Sequence, residues 1–165
     1  MGIRGVAGLV MLACFVTFWL LKYRIEAVFI LAIGVPLVLN TFLKELIGRP
    51  RPTSDLVDVL VMYGGAQGSG FPSGHAIHVV LFYGFLVFLF IRHTKKRILI
   101  CPISTLFVIY VIVTGLWLVY DGRHRIMDVI GGYIYGGCYL MSFIWGYRLL
   151  VSRFRNLPSQ PMSEL

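Results

Sequence analysis

Five long apolar runs, separated by short polar or basic breaks, cover most of the sequence. They fall at about 5–21, 25–43, 75–91, 98–120 and 126–150. Each lies close to the ~20 residues that a helix needs to cross a hydrocarbon core. The pattern predicts an all-α, polytopic membrane helix bundle with about five transmembrane helices. Residues 1–155 form one domain, and the tail 156–165, with Pro158 and Pro161, is expected to be disordered. Pro36 should kink the second span, which neighbouring helices can tolerate. Between spans two and three lies one long loop. Its stretch 56–63 is apolar with acidic breaks and predicts a short interfacial helix. Gly64, Gly65, Gly68 and Gly70 then lead flexibly into the turn at Pro72.

Composition agrees with the pattern. The chain of 165 residues is 58% hydrophobic and 13% charged, with a mean hydropathy of +0.84. A soluble domain carries about a quarter charged residues. The net charge of +8 does not indicate a nucleic-acid partner, because the basic residues sit in short loops between apolar runs. There they set topology and touch anionic lipid. Cys14, Cys101 and Cys138 fall inside apolar runs, with no metal-type spacing, and read as buried small hydrophobes. The run after Arg4 starts like a signal peptide but shows no small-residue cleavage site, so it reads as a retained span.

Loop charges orient the bundle. Lys22, Arg24, Arg92, Lys95, Lys96, Arg97, Arg148, Arg153 and Arg155 fall on one side, which should be cytoplasmic. The other side carries Arg4, Lys44, Arg49, Arg51, Arg123 and Arg125, with Glu45, Asp55, Asp58 and Asp121, and should face outside.

The polar clusters outside the termini and basic loops meet on that outer face. Lys44 to Pro52 ends span two, Phe71-Pro72-Ser73-Gly74-His75 opens span three, and Asp121 to Arg125 links spans four and five. The start of span three leaves backbone N–H groups unpaired, with a helix dipole behind them, and so offers an anion site. Asp128 follows His124 by four residues, a spacing that on a helix sets a carboxylate beside an imidazole. Fixed cations, an anion-binding helix start and two histidines suit phosphoryl transfer. One histidine attacks phosphorus and the other protonates the leaving alkoxide. No carboxylate cluster suits Mg²⁺, so the chemistry is expected to need no metal and no cofactor. The plainer readings are capping or interfacial histidines, and Lys44 and Arg51 snorkelling to headgroups. Span five carries Gly131, Gly132, Gly136 and Gly137, a small-residue face for internal packing or a homodimer. His78, about one turn beyond His75, reads as a packing or supporting residue.

These blocks resemble the type 2 phosphatidic acid phosphatases, whose core is shared with vanadium haloperoxidases and bacterial acid phosphatases. The family pattern is K-x6-R-P, then P-S-G-H, then S-R-x5-H-x3-D. Here Lys44, Arg51 and Pro52 match the first block, residues 72–75 the second, and His124 and Asp128 the third. The likeness spans about residues 40–132. It implies that His124 is the nucleophile, that Asp128 orients it and that His75 is the general acid. It implies that Lys44, Arg51, Ser73 and the Gly74 N–H bind phosphate. The third block departs from the pattern, because Trp117 and Leu118 stand where Ser-Arg is expected. Arg49, Arg123 and Arg125 are the candidates to replace the missing arginine. Many members have six spans, and five are read here.

The function so implied is hydrolysis of a membrane lipid phosphate or pyrophosphate through a phosphohistidine. Phosphatidic acid, phosphatidylglycerol phosphate, undecaprenyl pyrophosphate and lipid A phosphates are the candidate substrates. The alternatives are a lipid phosphotransferase and a catalytically silent lipid-binding or transport protein. The partners expected are the bilayer and its lipid phosphate, in a bacterial or archaeal plasma membrane.

Overall fold

A computed structural model of the protein describes residues 3–51 and 68–155, without the side chains of residues 3, 4 and 155. The interfacial stretch at 56–63, Pro52, Ser54, Asp55, Asp58, Gly64, Gly65 and the tail 156–165 lie outside the described residues. Among those described, the secondary structure is helical: α1 (Ile3–Leu20), α2 (Arg24–Ala32), α3 (Gly34–Ile47), α4 (Gly74–His78), α5 (Gly84–His93), α6 (Ile100–Tyr120) and α7 (Ile126–Arg155). A π-helical turn at Val79–Tyr83 joins α4 to α5, and a 3₁₀ turn at Arg97–Leu99 leads into α6. Five rods result, because α2 with α3 and α4 with α5 are nearly continuous. Three of them, 24–47, 74–93 and 97–120, are long and apolar enough to cross a membrane. The fold is an all-α membrane helix bundle.

The break in the second rod falls at Ile33, three residues before Pro36. A proline ring clashes with the carbonyl four residues earlier and removes one helical N–H. The disturbance therefore appears at the preceding turn.

Helix α7 is the central post. Its glycines admit the backbone of the third rod. A Cβ on Gly132 would stand 2.6 Å from the Ala76 Cβ and 2.7 Å from the Ser73 carbonyl oxygen, and one on Gly136 would stand 3.1 Å from the Ile77 carbonyl oxygen. Gly131 accepts the ring of Phe71. The small-residue face thus serves packing within the bundle. Ile30, Ile33, Leu81, Phe82, Phe85, Leu89 and Tyr147 form the main core beneath it. Helix α6 fully buries only Gly115 and Leu118, half-buries a few others such as Phe107 and Val119, and leaves most of its apolar side chains exposed. Two cysteines depart from the expected burial, since Cys101 and Cys138 are exposed and Cys14 is half-buried. Outward faces of a membrane bundle meet hydrocarbon, so a small apolar side chain gains nothing by turning inward.

At the end of the bundle away from Lys44, Glu26 is buried and ties three rods together. It accepts a hydrogen bond from the Tyr147 hydroxyl (2.7 Å), and His93 Nε2 lies 3.2 Å away.

Candidate active site

Each polar block is held in place by backbone contacts. Gly48 adopts a left-handed conformation (φ 61°) that ends α3, and its N–H bonds back to the Lys44 carbonyl at 2.9 Å. The chain then runs extended beside the lead-in to α4. Gly70 N–H donates to the Arg49 carbonyl at 2.7 Å, and Pro50 bridges to Ser69. Gly70 is required by this approach: a Cβ there would lie 2.9 Å from Asp128 Oδ2. Ser73 caps α4, its Oγ accepting from Ala76 N–H at 3.4 Å, while its own N–H donates to the Asp128 carbonyl at 2.9 Å. The turn before α7 is fixed by His124 N–H donating to the Leu118 carbonyl at 3.2 Å. Arg51 Nη1 donates to the Arg123 carbonyl at 3.2 Å, which docks the first block on the third.

These contacts bring Lys44, Arg51, Gly74, His75 and His124 to the wall of one cavity of about 370 Å³. That volume is in the range of small-molecule sites. Lys44 also reaches the Ser69 carbonyl at 3.5 Å. Ser73 is fully buried at the cap, beside the cavity rather than on its wall. Helix α1 closes the far side with Ala7, Gly8 and Met11.

His124 is 3% exposed. Burial pushes its pKa down from 6.5 to about 3, the positive charges of Arg51, Lys44 and His75 add to this, and a hydrogen bond with the Gly70 backbone opposes it. The imidazole is therefore neutral near pH 7 and keeps a lone pair to offer.

Asp128 lies beside His124, but the two are not hydrogen-bonded. His124 Nδ1 and Asp128 Oδ2 are 3.7 Å apart, beyond hydrogen-bond range. The expected helical pairing is altered because His124 precedes α7, whose first turn already uses the carboxylate. Asp128 Oδ2 accepts from Arg125 N–H at 3.0 Å, and Arg49 Nη1 stands 3.2 Å from Oδ1.

The three candidate arginines accordingly have other engagements. Arg49 pairs with Asp128, Arg123 with Asp121, and Arg125 supplies a backbone N–H. None of them lines the cavity. Leu118 is buried against Ala76 and Val129. Among the described residues, no group of three or more His, Cys, Asp or Glu side chains could hold a metal ion. Sequence reasoning missed Asn40 and Thr41, which also line the cavity. The available signal was a buried amide one turn before Lys44 within an apolar run.

A helix bundle with cations, a helix start and two histidines around one cavity defines a phosphate-directed membrane protein class. The chain belongs to the PAP2 superfamily, whose family model matches residues 25–152. It is similar to phosphatidylglycerophosphatase B of Bacillus subtilis (strain 168), with 28% identity over 131 residues, covering 77% of this chain and 60% of the relative. It is also similar to lipid A 4'-phosphatase of Bacteroides thetaiotaomicron, with 30% identity over 103 residues, covering 59% of this chain and 42% of the relative. The chain thus spans between two fifths and three fifths of the length of these relatives. No solved structure matches it.

Proposed function

We propose that the protein is a membrane lipid phosphate phosphatase that works through a phosphohistidine. The observation that carries this reading is the convergence of His124, His75, Lys44, Arg51 and Gly74 on one cavity. The two relatives, both named as phosphatases of lipid phosphates, support the substrate class. His124 attacks phosphorus through a ring nitrogen, and the bond from phosphorus to the leaving oxygen breaks. His75 gives that oxygen its proton. Water then attacks the phosphohistidine, His75 takes the water proton, the P–N bond breaks and phosphate leaves. Lys44, Arg51 and the start of α4 neutralise the phosphoryl oxygens. The cations of this scheme are side chains, so it needs no metal. The loop-charge bias supports a cavity that faces outside; on this reading the membrane is a bacterial or archaeal plasma membrane, and the lipid tail enters from the bilayer.

Buried Leu118, where the family pattern has arginine, favours one second reading: a silent lipid-binding protein on the same fold. Phosphate release separates the two. Purified protein in detergent is given a panel of lipid phosphates with EDTA present, beside His124→Ala. Release that survives EDTA and vanishes in the variant is expected. A folded protein that binds one of the lipids and releases no phosphate overturns the phosphatase reading.

A further inference from the structure

The cavity wall runs along α3 and α4 from Lys44 and His75 to Asn40 and His78. Asn40 precedes Lys44 by four residues on α3, and His78 follows His75 by three on α4, so the backbone of each lies about 5 Å deeper along its helix, while the Asn40 amide reaches across to the start of α4. Both line the cavity. Asn40 is only 5% exposed. Its amide lies against the start of α4, where a Cβ on Gly74 would stand 3.0 Å from Nδ2. Asn40 Oδ1 and His78 Nε2 are both buried, and neither has a hydrogen-bond partner among the described residues. His78 is held flat against Phe82, with ring centroids 5.1 Å apart, so its free nitrogen has a fixed direction.

Two orphaned polar atoms on facing helices, inside a membrane bundle, call for a ligand that satisfies them. The mechanism above leaves both unused. Their position says which part of a substrate they meet. A lipid's tails lie in the hydrocarbon, so polar atoms beside and beneath the phosphate site meet the leaving alcohol at its phosphoester end. Ala7, Gly8 and Met11 opposite offer no polar side chain to that alcohol.

We propose that Asn40 and His78 form a hydroxyl-binding subsite for the leaving alcohol. Resting on the phosphatase reading, it narrows the substrate to phosphate esters of polyols or sugars and disfavours polyprenyl pyrophosphates. Asn40 Oδ1 accepts the O–H of a hydroxyl near the phosphoester, and His78 Nε2 exchanges a hydrogen bond with the same group or its neighbour. A leaving group that lacks the hydroxyl leaves both buried atoms unsatisfied, which is how a polar site rejects an apolar analogue.

The test compares dodecyl phosphate with 2-hydroxydodecyl phosphate, two lipids that differ by one hydroxyl. For the wild type, kcat/KM is expected to be at least ~10-fold higher for the hydroxylated lipid. In Asn40→Leu and in His78→Phe, which retains a ring against Phe82, the ratio is expected to fall towards one. A general packing defect lowers both lipids alike and leaves the ratio standing. An unselective wild type, or variants that keep the wild-type ratio, overturns the proposal. Binding of the same two lipids to His124→Ala is measured in parallel. If the folded wild type releases phosphate from neither lipid nor from the panel above, the phosphatase reading fails. Wherever neither lipid is turned over, the binding ratio decides the subsite: preference for the hydroxylated lipid upholds it and equal binding overturns it.

Discussion

Gly132→Ala adds one methyl group at the point where the two halves of the site are held together. Helix α7 touches the start of α4 there, and the added Cβ would meet the Ala76 Cβ at 2.6 Å and the Ser73 carbonyl oxygen at 2.7 Å. Ordinary contact begins at 3.4 Å, so the overlaps are about 0.8 and 0.7 Å. Neither neighbour can rotate away, because one is backbone and the other is fixed to it. The helices must therefore part by most of an ångström. His124 and Asp128 travel with α7, while Ser73, Gly74 and His75 stay with α4. Under the proposed function, separating His124 from His75 and the phosphate site by about 1 Å costs on the order of 10²-fold in rate, or about 2.7 kcal/mol of transition-state stabilisation. Overpacking adds about 1–3 kcal/mol of destabilisation. The control is Gly137→Ala on the same helix, where a Cβ meets nothing within 4 Å. That variant is expected to keep its activity and to gain up to about 1 kcal/mol in stability from helix propensity. The assay is kcat/KM for phosphate release from a lipid phosphate, with thermal unfolding in the same detergent. A folded Gly132→Ala protein within about threefold of Gly137→Ala would refute the claim that this contact sets the site geometry.

Two further outcomes follow from the electrostatics around His124. Nuclear magnetic resonance titration of the histidines in detergent should find His124 neutral from pH 5 to 8, with a midpoint far below 6.5, and Arg51→Met should raise that midpoint. The unfolded chain binds this proton more readily between about pH 3 and 6.5, so stability falls as pH drops through that window and is unaffected by His124 above it; a midpoint near 6.5 would contradict the argument. Arg49→Ala removes the cation beside buried Asp128, and because the Arg49 side chain is 34% exposed the loss should be about 1–3 kcal/mol, below the cost of a fully buried pair. A double-mutant cycle with Asp128→Asn measures it by thermal unfolding, and strict additivity would show that the two do not interact.

Bilayer thickness made the rods legible in the sequence. A helix that crosses hydrocarbon must be apolar for a set length, so its ends are visible as polar breaks. The order of the three polar blocks, each at a run's end, was visible for the same reason. The pairing of charges was not visible. Arg49, Arg123 and Arg125 lie in two loops near two carboxylates, and spacing cannot say that Arg49 takes Asp128 while Arg123 takes Asp121. Nor can it say that Arg125 reaches Asp128 through its backbone. The glycine face was legible as a packing surface, but its partner was not, since a bundle's own helix and a second copy present the same small-residue pattern. Glu26 stands in an apolar run. Its burial makes sense only with Tyr147, 121 positions away, and His93 beside it.

The charge balance at the cavity bears on what Leu118 costs. Lys44 and Arg51 supply two positive charges there, and the start of α4 adds about half of one. A phosphomonoester near neutral pH carries about −1.5 to −2. Under the proposed function, ground-state binding of phosphate is thus already matched without a third arginine. The transition state differs, because charge spreads over the phosphoryl oxygens as the bond to the leaving group breaks. A donor aimed at those oxygens is worth about 10²–10³-fold in rate. At position 118 a buried leucine lies against Ala76 and Val129, and the nearby arginines Arg49 and Arg123 are held by carboxylates. Under the proposed function, the missing contact is therefore one made only in the transition state. Its loss falls on kcat while KM stays set by Lys44, Arg51 and the helix start. Slow turnover with ordinary phosphate affinity is the kinetic signature of this arrangement. It differs from that of a silent binding protein, which would have the affinity and no turnover at all.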